Sequence, residues 1–388
     1  MIIIEKPYVS EFLVDSIVKN NWLVLDNEAV EMSDIEDGAF RTIHPMTAKE
    51  YLMNEDYPLI YSNSENSINW ILTALPDSNI ARYIRLFKDK FAFRNMLSGI
   101  YPDFKYKEVF YHDLEKISLE DLQFPLVLKP SIGFLSLGVH TIHDDKDWKT
   151  TLFSLEDEIK SAKALYPDVV IDASKFIIEE YVSGEEYAID AYYDDKGNPV
   201  ILNIFHHPFL DTKDVRDRMY MTSAGIMIKY MARLAMLLKQ IGEINDIRNF
   251  SLHLEVRITD DDKIIPIEVN PMRFAGWCTT DIAKYAWGVN VYECFMNRLR
   301  PDWNNILSNA KRGVYYFSMA EVPIGQDRSK IKGFDYEKYL ANFSNVLELR
   351  RINPKKNPLF AVVFGFTEDR EEIKNILSLK TKDYTIFS

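Results

Sequence analysis

An α/β fold with an α+β middle is what this sequence predicts, on three observations. Residues 1–85 alternate short apolar runs with helix-like stretches, the pattern of a small parallel sheet with helices against it. Between residues 124 and 270, several runs of strand length alternate apolar and polar side chains, as half-buried strands do. Residues 222–241 carry Ile226, Tyr230, Leu234, Leu237, Leu238 and Ile241 on one helical face, and Gly242 supplies a stop signal.

Taken in order, Ile2–Ile4 is a first strand, and Phe12, Leu13, Ser16 and Ile17 suit a following helix. Trp22–Leu25 and Pro58–Tyr61 read as further strands, and Ile68–Leu75 as a helix. No G-x-G-x-x-G is present, so dinucleotide binding has no support. The run SNSEN, residues 62–66, follows a strand end, where open α/β sheets place ligands. The favoured reading is a helix cap, with Ser or Asn oxygens meeting free backbone N–H groups. Residues 78–98 form an amphipathic helix with a break near Lys88, and Lys90 and Arg94, four apart, share a face.

The 388 residues suffice for two or three domains, and their 47% hydrophobic and 27% charged composition is that of ordinary globular proteins. A formal net charge of −13 argues against wrapping a nucleic-acid backbone, which needs a basic footprint. Cys278 and Cys294 lack metal-ligand spacing and read as reduced, buried thiols. No apolar run is long enough to cross a membrane, and MIIIEKPYV reads as a strand rather than a signal peptide, so a cytoplasmic location is expected.

The chemistry concentrates in His253–Trp277, HLEVRITDDDKIIPIEVNPMRFAGW. It reads as two strands around a turn at Asp260–Lys263. That turn sets Glu255 opposite Glu268 and His253 opposite Asn270, all pointing to one face. Facing carboxylates repel unless a cation lies between them, and a hard divalent ion prefers such oxygen ligands. A hairpin with a wet polar face is the plainer reading. Upstream, Phe124–Pro130 is a buried strand carrying Lys129, whose ammonium needs an anion. The loop after it holds Gly133, Ser136 and Gly138 and can cradle phosphate, or be a plain hairpin loop. Phe176–Val182, Glu185–Tyr193 and Pro199–Phe205 form a meander. His206 and His207 point opposite ways on extended chain, which argues against a paired metal role.

In this order and spacing, FPLVLKPSIGFLSLGV, IIEEYVSGEEYAID and HLEVRITDDDKIIPIEVNP resemble the ATP-grasp superfamily, most of all its carboxylate–amine ligase branch, over roughly residues 85–300. The resemblance implies an ATP-grasp fold with an N-terminal Rossmann-like α/β domain and a small C-terminal α/β appendage. Its boundaries would be 1–85, 86–300 (a lid at 86–182 and a metal-binding part at 183–300) and 301–388. It implies that Lys90 and Lys129 reach the ATP phosphates and that Ser136 and Gly138 lie in the covering flap. Glu179, Glu180, Tyr181 and Val182 would be the adenine hinge, and Glu186 would hold the ribose. Glu255, Glu268 and Asn270 would bind Mg²⁺ or Mn²⁺, with Arg273 and His253 as catalytic candidates.

The implied activity is activation of a small carboxylate as an acyl phosphate and its joining to an amine, with release of ADP and phosphate. The alternatives are a phosphotransferase of the same fold and a nucleotide-binding module without catalysis. Neither nucleic acid nor membrane is an expected partner; the C-terminal unit reads as a packing or dimerisation element, which admits a homodimer. Two departures stand out. Met272 occupies the second position after Asn270, where many members carry arginine, and Arg273 follows it. The flap carries Phe134, Leu135 and Leu137, suggesting a hydrophobic lid. Ser62–Asn66, Arg218 and Arg273–Trp277 are expected to form the acceptor surface.

Overall fold

Strands that are mostly buried along their length organise the chain into three principal sheets. The computed structural model describes residues 1–31, 38–118, 123–132, 138–165, 172–210, 218–323 and 325–387. The N-terminal sheet is parallel and contains β1 (Ile2–Ile3), β2 (Leu23–Leu25), β3 (Arg41–Ile43) and β4 (Tyr61–Ser62), in the order β3-β2-β1-β4. Strand β3 and the helix after it, Pro45–Leu52, escaped the sequence reading. The strand is exposed and the helix weakly amphipathic, so neither gives a periodic signal. The predicted helix over 78–98 is two helices, Asn79–Lys88 and Lys90–Leu97. Asp89 separates them and caps the second, accepting from the Phe91 and Ala92 amides at 2.9 and 3.0 Å.

A second four-stranded sheet follows, with β5 (Tyr106–Phe110), β6 (Leu126–Ile132), β7 (His140–Ile142) and β8 (Asp172–Glu180) in the order β5-β8-β6-β7. Val109, Leu114, Leu126, Leu128, Phe176 and Ile178 give it a core of its own. Ser136 lies outside the described residues.

The largest sheet has eight strands in the order β13-β12-β9-β10-β11-β14-β17-β16. Its members are β9 (Glu185–Tyr193), β10 (Pro199–His207), β11 (Met219–Thr222), β12 (Phe250–Ile258), β13 (Ile264–Pro271), β14 (Val314–Glu321), β16 (Val346–Arg351) and β17 (Leu359–Thr367). A separate two-stranded ribbon pairs β15 (Ile331–Phe334) with β18 (Thr385–Phe387). Strands from beyond residue 300 therefore extend the sheet that carries the acidic hairpin.

The helix Ala224–Asn245 packs its buried face, including Met227, Leu234 and Leu238, into the main core. It runs past the predicted stop at Gly242 and ends at Asp246, in the left-handed region. Gly242 serves contact instead: a Cβ there would lie 2.4 Å from Tyr193 Cε1. Among the described residues no helix is long and apolar enough to cross a membrane. Both cysteines are free and buried.

Candidate active site

Strands β12 and β13 pair as the sequence predicts at their functional end, with Glu255 opposite Glu268 and His253 opposite Asn270. They reach that register by another route. Ile258 pairs with Ile264, so the loop is one residue longer than predicted, and Thr259 and Lys263 close it with a 3.0 Å backbone bond. Val256 then pairs with Pro266, and a bulge before Glu268 restores the register. Pro266 has no N–H for the ladder, so a bulge on the sheet's edge strand is where it is tolerated. Arg94 covers that edge by donating to the Pro266 carbonyl at 2.8 Å.

Asn270 Nδ2 donates to Glu255 Oε1 at 3.0 Å, which confirms the shared face. Among the described residues no group of at least three His, Cys, Asp and Glu is placed to hold a metal. The set here is two carboxylates and one amide, all capable of presenting hard oxygen donors after a turn of the amide. That chemistry fits a divalent cation. Lys90, at the start of its helix, pairs with Glu268 at 3.1 Å. Burial alone would raise the Glu268 carboxyl, but Lys90, Lys129 and Lys88 outweigh it and hold it down at about 2. Glu268 is therefore an anion throughout the neutral range.

Lys129 lies in mid-strand, buried, rather than at the strand's edge. Its ammonium donates to Glu179, which also receives Arg94 at 3.0 Å. Burial pulls Lys129 below its ordinary value, and Glu179 offsets this in part. Burial would raise Glu179, but Lys129 and Arg94 prevail and lower it from its ordinary 4.5. The sign follows: ionised Glu179 stabilises the fold fully above that ordinary value, and the contribution is lost as pH falls through the lowered folded value. In urea titrations, the stability gap between wild type and Glu179→Gln should be widest near neutrality and close in acid. A gap independent of pH would refute the ion-pair account.

At the predicted hinge, the Glu180 and Tyr181 amides are already used, donating to Lys105 and Pro125 carbonyls at 3.0 and 3.1 Å. Arg257 donates to the Val182 carbonyl and the Tyr181 hydroxyl, both at 3.1 Å, and pairs with Glu186 at 3.3 Å. His207 Nδ1 meets Glu186 at 3.0 Å, while His206 meets Glu185 beside it, so the two rings do face opposite ways. Gly184 permits this corner: its φ is +125°, and a Cβ would lie 2.2 Å from the Ile258 carbonyl oxygen. Gly138, two residues before β7, is also at positive φ.

Met272 sits in the left-handed region, as do Trp277 and Cys278, so the segment after Asn270 is sharply bent. Arg273 pairs there with Glu65 at 3.1 Å, and Lys88 meets the same carboxylate at 2.5 Å. Ser62 N donates to the Met272 carbonyl at 3.0 Å. The capping reading of SNSEN holds: Ser64 caps a short helix by accepting from Asn66 N, and Glu65 beside it is the partner of Arg273. Arg218, also expected on this surface, donates from Nη1 to the Leu377 carbonyl at 2.7 Å. His253 is buried, with Nδ1 2.8 Å from Asp190 and Nε2 3.8 Å from Glu255. Sequence reasoning assigned no role to Arg94, Arg257 or Asp190, and named Glu65 only within the run Ser62–Asn66. Only Arg94, four residues from Lys90, left a usable signal.

Residues 122–281 match the ATP-grasp domain family. No curated protein sequence matches the chain. The fold is shared with the L-amino acid ligase of Bacillus licheniformis, at 16% identity and a TM-score of 0.68, covering 100% of this chain and 98% of that one. N5-carboxyaminoimidazole ribonucleotide synthetase of Thermotoga maritima follows at 15% identity and 0.64, covering 99% and 98%. The biotin carboxylase domain of Hydrogenobacter thermophilus 2-oxoglutarate carboxylase, solved with MgADP and bicarbonate, gives 10% and 0.63, covering 100% and 90%. This chain therefore carries an ATP-grasp domain and has the ATP-grasp fold over its described length.

Proposed function

We propose that the protein is an ATP-dependent ligase that joins a small-molecule carboxylate to an amine. The observation that carries this reading is the meeting of Glu255, Glu268 and Asn270, on one strand face, with Lys90 and the Lys129–Glu179–Arg94 cluster. Such a face supports metal-bound phosphates, and the bound relatives include one with MgADP.

In this reading Lys90 and Lys129 turn from their carboxylates toward the β- and γ-phosphates. Glu255, Glu268 and Asn270 would hold Mg²⁺ or Mn²⁺, which supplies charge neutralisation at the transferring phosphoryl group. Val182 offers the hinge N–H that has no protein acceptor among the described residues, suited to an adenine edge. Glu186, oriented by Arg257 and His207, would accept from the ribose hydroxyls. A substrate carboxylate oxygen attacks the γ-phosphorus, the bond to the β-phosphate oxygen breaks, and ADP leaves. An amine then attacks the acyl carbon of the acyl phosphate, loses a proton and expels phosphate. In this reading Arg273 stabilises the negative charge at that carbon's oxygen.

The test supplies ATP, Mg²⁺ and pooled amino acids. Phosphate release that requires both a carboxylate and an amine supports ligation. A phosphorylated product formed without an amine makes the protein a phosphotransferase, and ATP binding without turnover makes it a binding module. Lys129→Ala should weaken ATP binding roughly 10- to 100-fold, the loss of a charged hydrogen bond of about 1.5–3 kcal/mol. Unchanged affinity by calorimetry would remove Lys129 from the phosphate site.

A further inference from the structure

Asp190 takes no part in the roles above, yet it lies beneath them. On β9 it is opposite His253 of β12, which is opposite Asn270 of β13. It is fully buried. One oxygen, Oδ1, accepts from the His253 ring at Nδ1 and from the Ala275 amide, both at 2.8 Å. The other, Oδ2, is buried and has no hydrogen-bond partner among the described residues. A buried carboxylate with an idle oxygen is costly.

We propose that Asp190 is a positioning residue of the site. By accepting from Nδ1 it fixes the His253 ring with Nε2 turned toward Glu255, 3.8 Å away. By accepting from Ala275 N it also holds the bent segment that carries Arg273, two residues earlier. One carboxylate oxygen thereby ties the metal-ligand face to the loop expected to meet the acyl group. Carboxylates beneath site imidazoles commonly set ring orientation in this way. An asparagine can offer the ring an N–H instead of an oxygen, which releases the orientation while preserving the shape. The reading rests on the proposed ligase activity.

The experiment compares Asp190→Asn, His253→Gln and the double variant. In Asp190→Asn, kcat should fall about 10- to 100-fold, the usual cost of losing an outer-shell partner. Affinity for ATP should stay unchanged and the melting temperature should not fall, since a buried charge has been removed. The double variant should lose no more than the worse single variant, because the two residues act as a unit. An unchanged kcat, a loss confined to KM for ATP, or multiplied losses in the double variant would overturn the proposal.

A second readout needs no turnover. In the substrate-free protein, ¹⁵N NMR should show a hydrogen-bonded proton on His253 Nδ1 that Asp190→Asn abolishes. An unaltered ring signal overturns the positioning role whatever the reaction. An altered signal in a protein that shows no amine-dependent phosphate release overturns only the ligase reading.

Discussion

Glu268→Gln is expected to reduce ATP turnover on the order of a thousandfold, corresponding to about 4 kcal/mol of transition-state stabilisation, several kcal/mol being usual for metal-centred charge stabilisation. The amide keeps the shape of the carboxylate but not its charge. In the wild type that charge is secured down to about pH 2 by Lys90, Lys129 and Lys88, against the upward push of burial. The substitution leaves Lys90 compensated, because Glu65 and Glu255 also act on it. The fold should therefore survive, and a thermal melt close to wild type would show that it does. Phosphate release at saturating ATP and Mg²⁺ is the decisive measurement. Turnover near the wild-type rate would remove Glu268 from the metal site and, with it, the main support for the proposed function.

The pairing that makes this prediction possible was legible in the sequence because strand alternation and one turn fix which side chains share a face. The bulge was not, because it depends on where Pro266 meets an edge strand, and the edge is a property of the whole sheet. Lys129 was visible as a charge in an apolar strand, but its partner Glu179 lies 50 residues away, and Arg94, the second cation on Glu179, lies 35 residues before Lys129, so only the fold brings them together. Glu65 shows the same limit. Its local pattern describes a helix cap, and that is correct, yet its side chain also reaches Arg273 from 208 residues away in the chain. Gly242 read as a helix stop because glycine commonly is one; here close approach to Tyr193 decides. Apart from β3 and the helix Pro45–Leu52, what stayed hidden depends on long-range ion pairs and close contacts, for which local periodicity carries no signal.

The same limit hid the buried cluster around Asp281, and Asp281→Ala is expected to destabilise the protein by about 3–5 kcal/mol, the cost of breaking a buried ion pair. Asp281 is fully buried and Arg350 nearly so. Arg350 Nη1 reaches Asp281 Oδ2 at 2.5 Å, the Ser10 hydroxyl donates to the same oxygen, and Tyr292 donates to Oδ1 at 2.6 Å. Truncation would strand these donors and leave Arg350 with Glu348 as its remaining carboxylate partner, at 2.9 Å. Glu348 is 29% exposed at its side chain, so water screens that pair, and Glu348→Gln should cost no more than about 1 kcal/mol. The contrast between the variants is the test, read from urea unfolding followed by both fluorescence and circular dichroism. The cluster draws Ser10 from the N-terminal unit and Arg350 from β16 onto the residue that ends the ATP-grasp match. The loss should therefore appear in one cooperative transition rather than as early release of the C-terminal strands. If Asp281→Ala and Glu348→Gln cost the same, the buried charge is not what joins these units, and the shared sheet alone holds them.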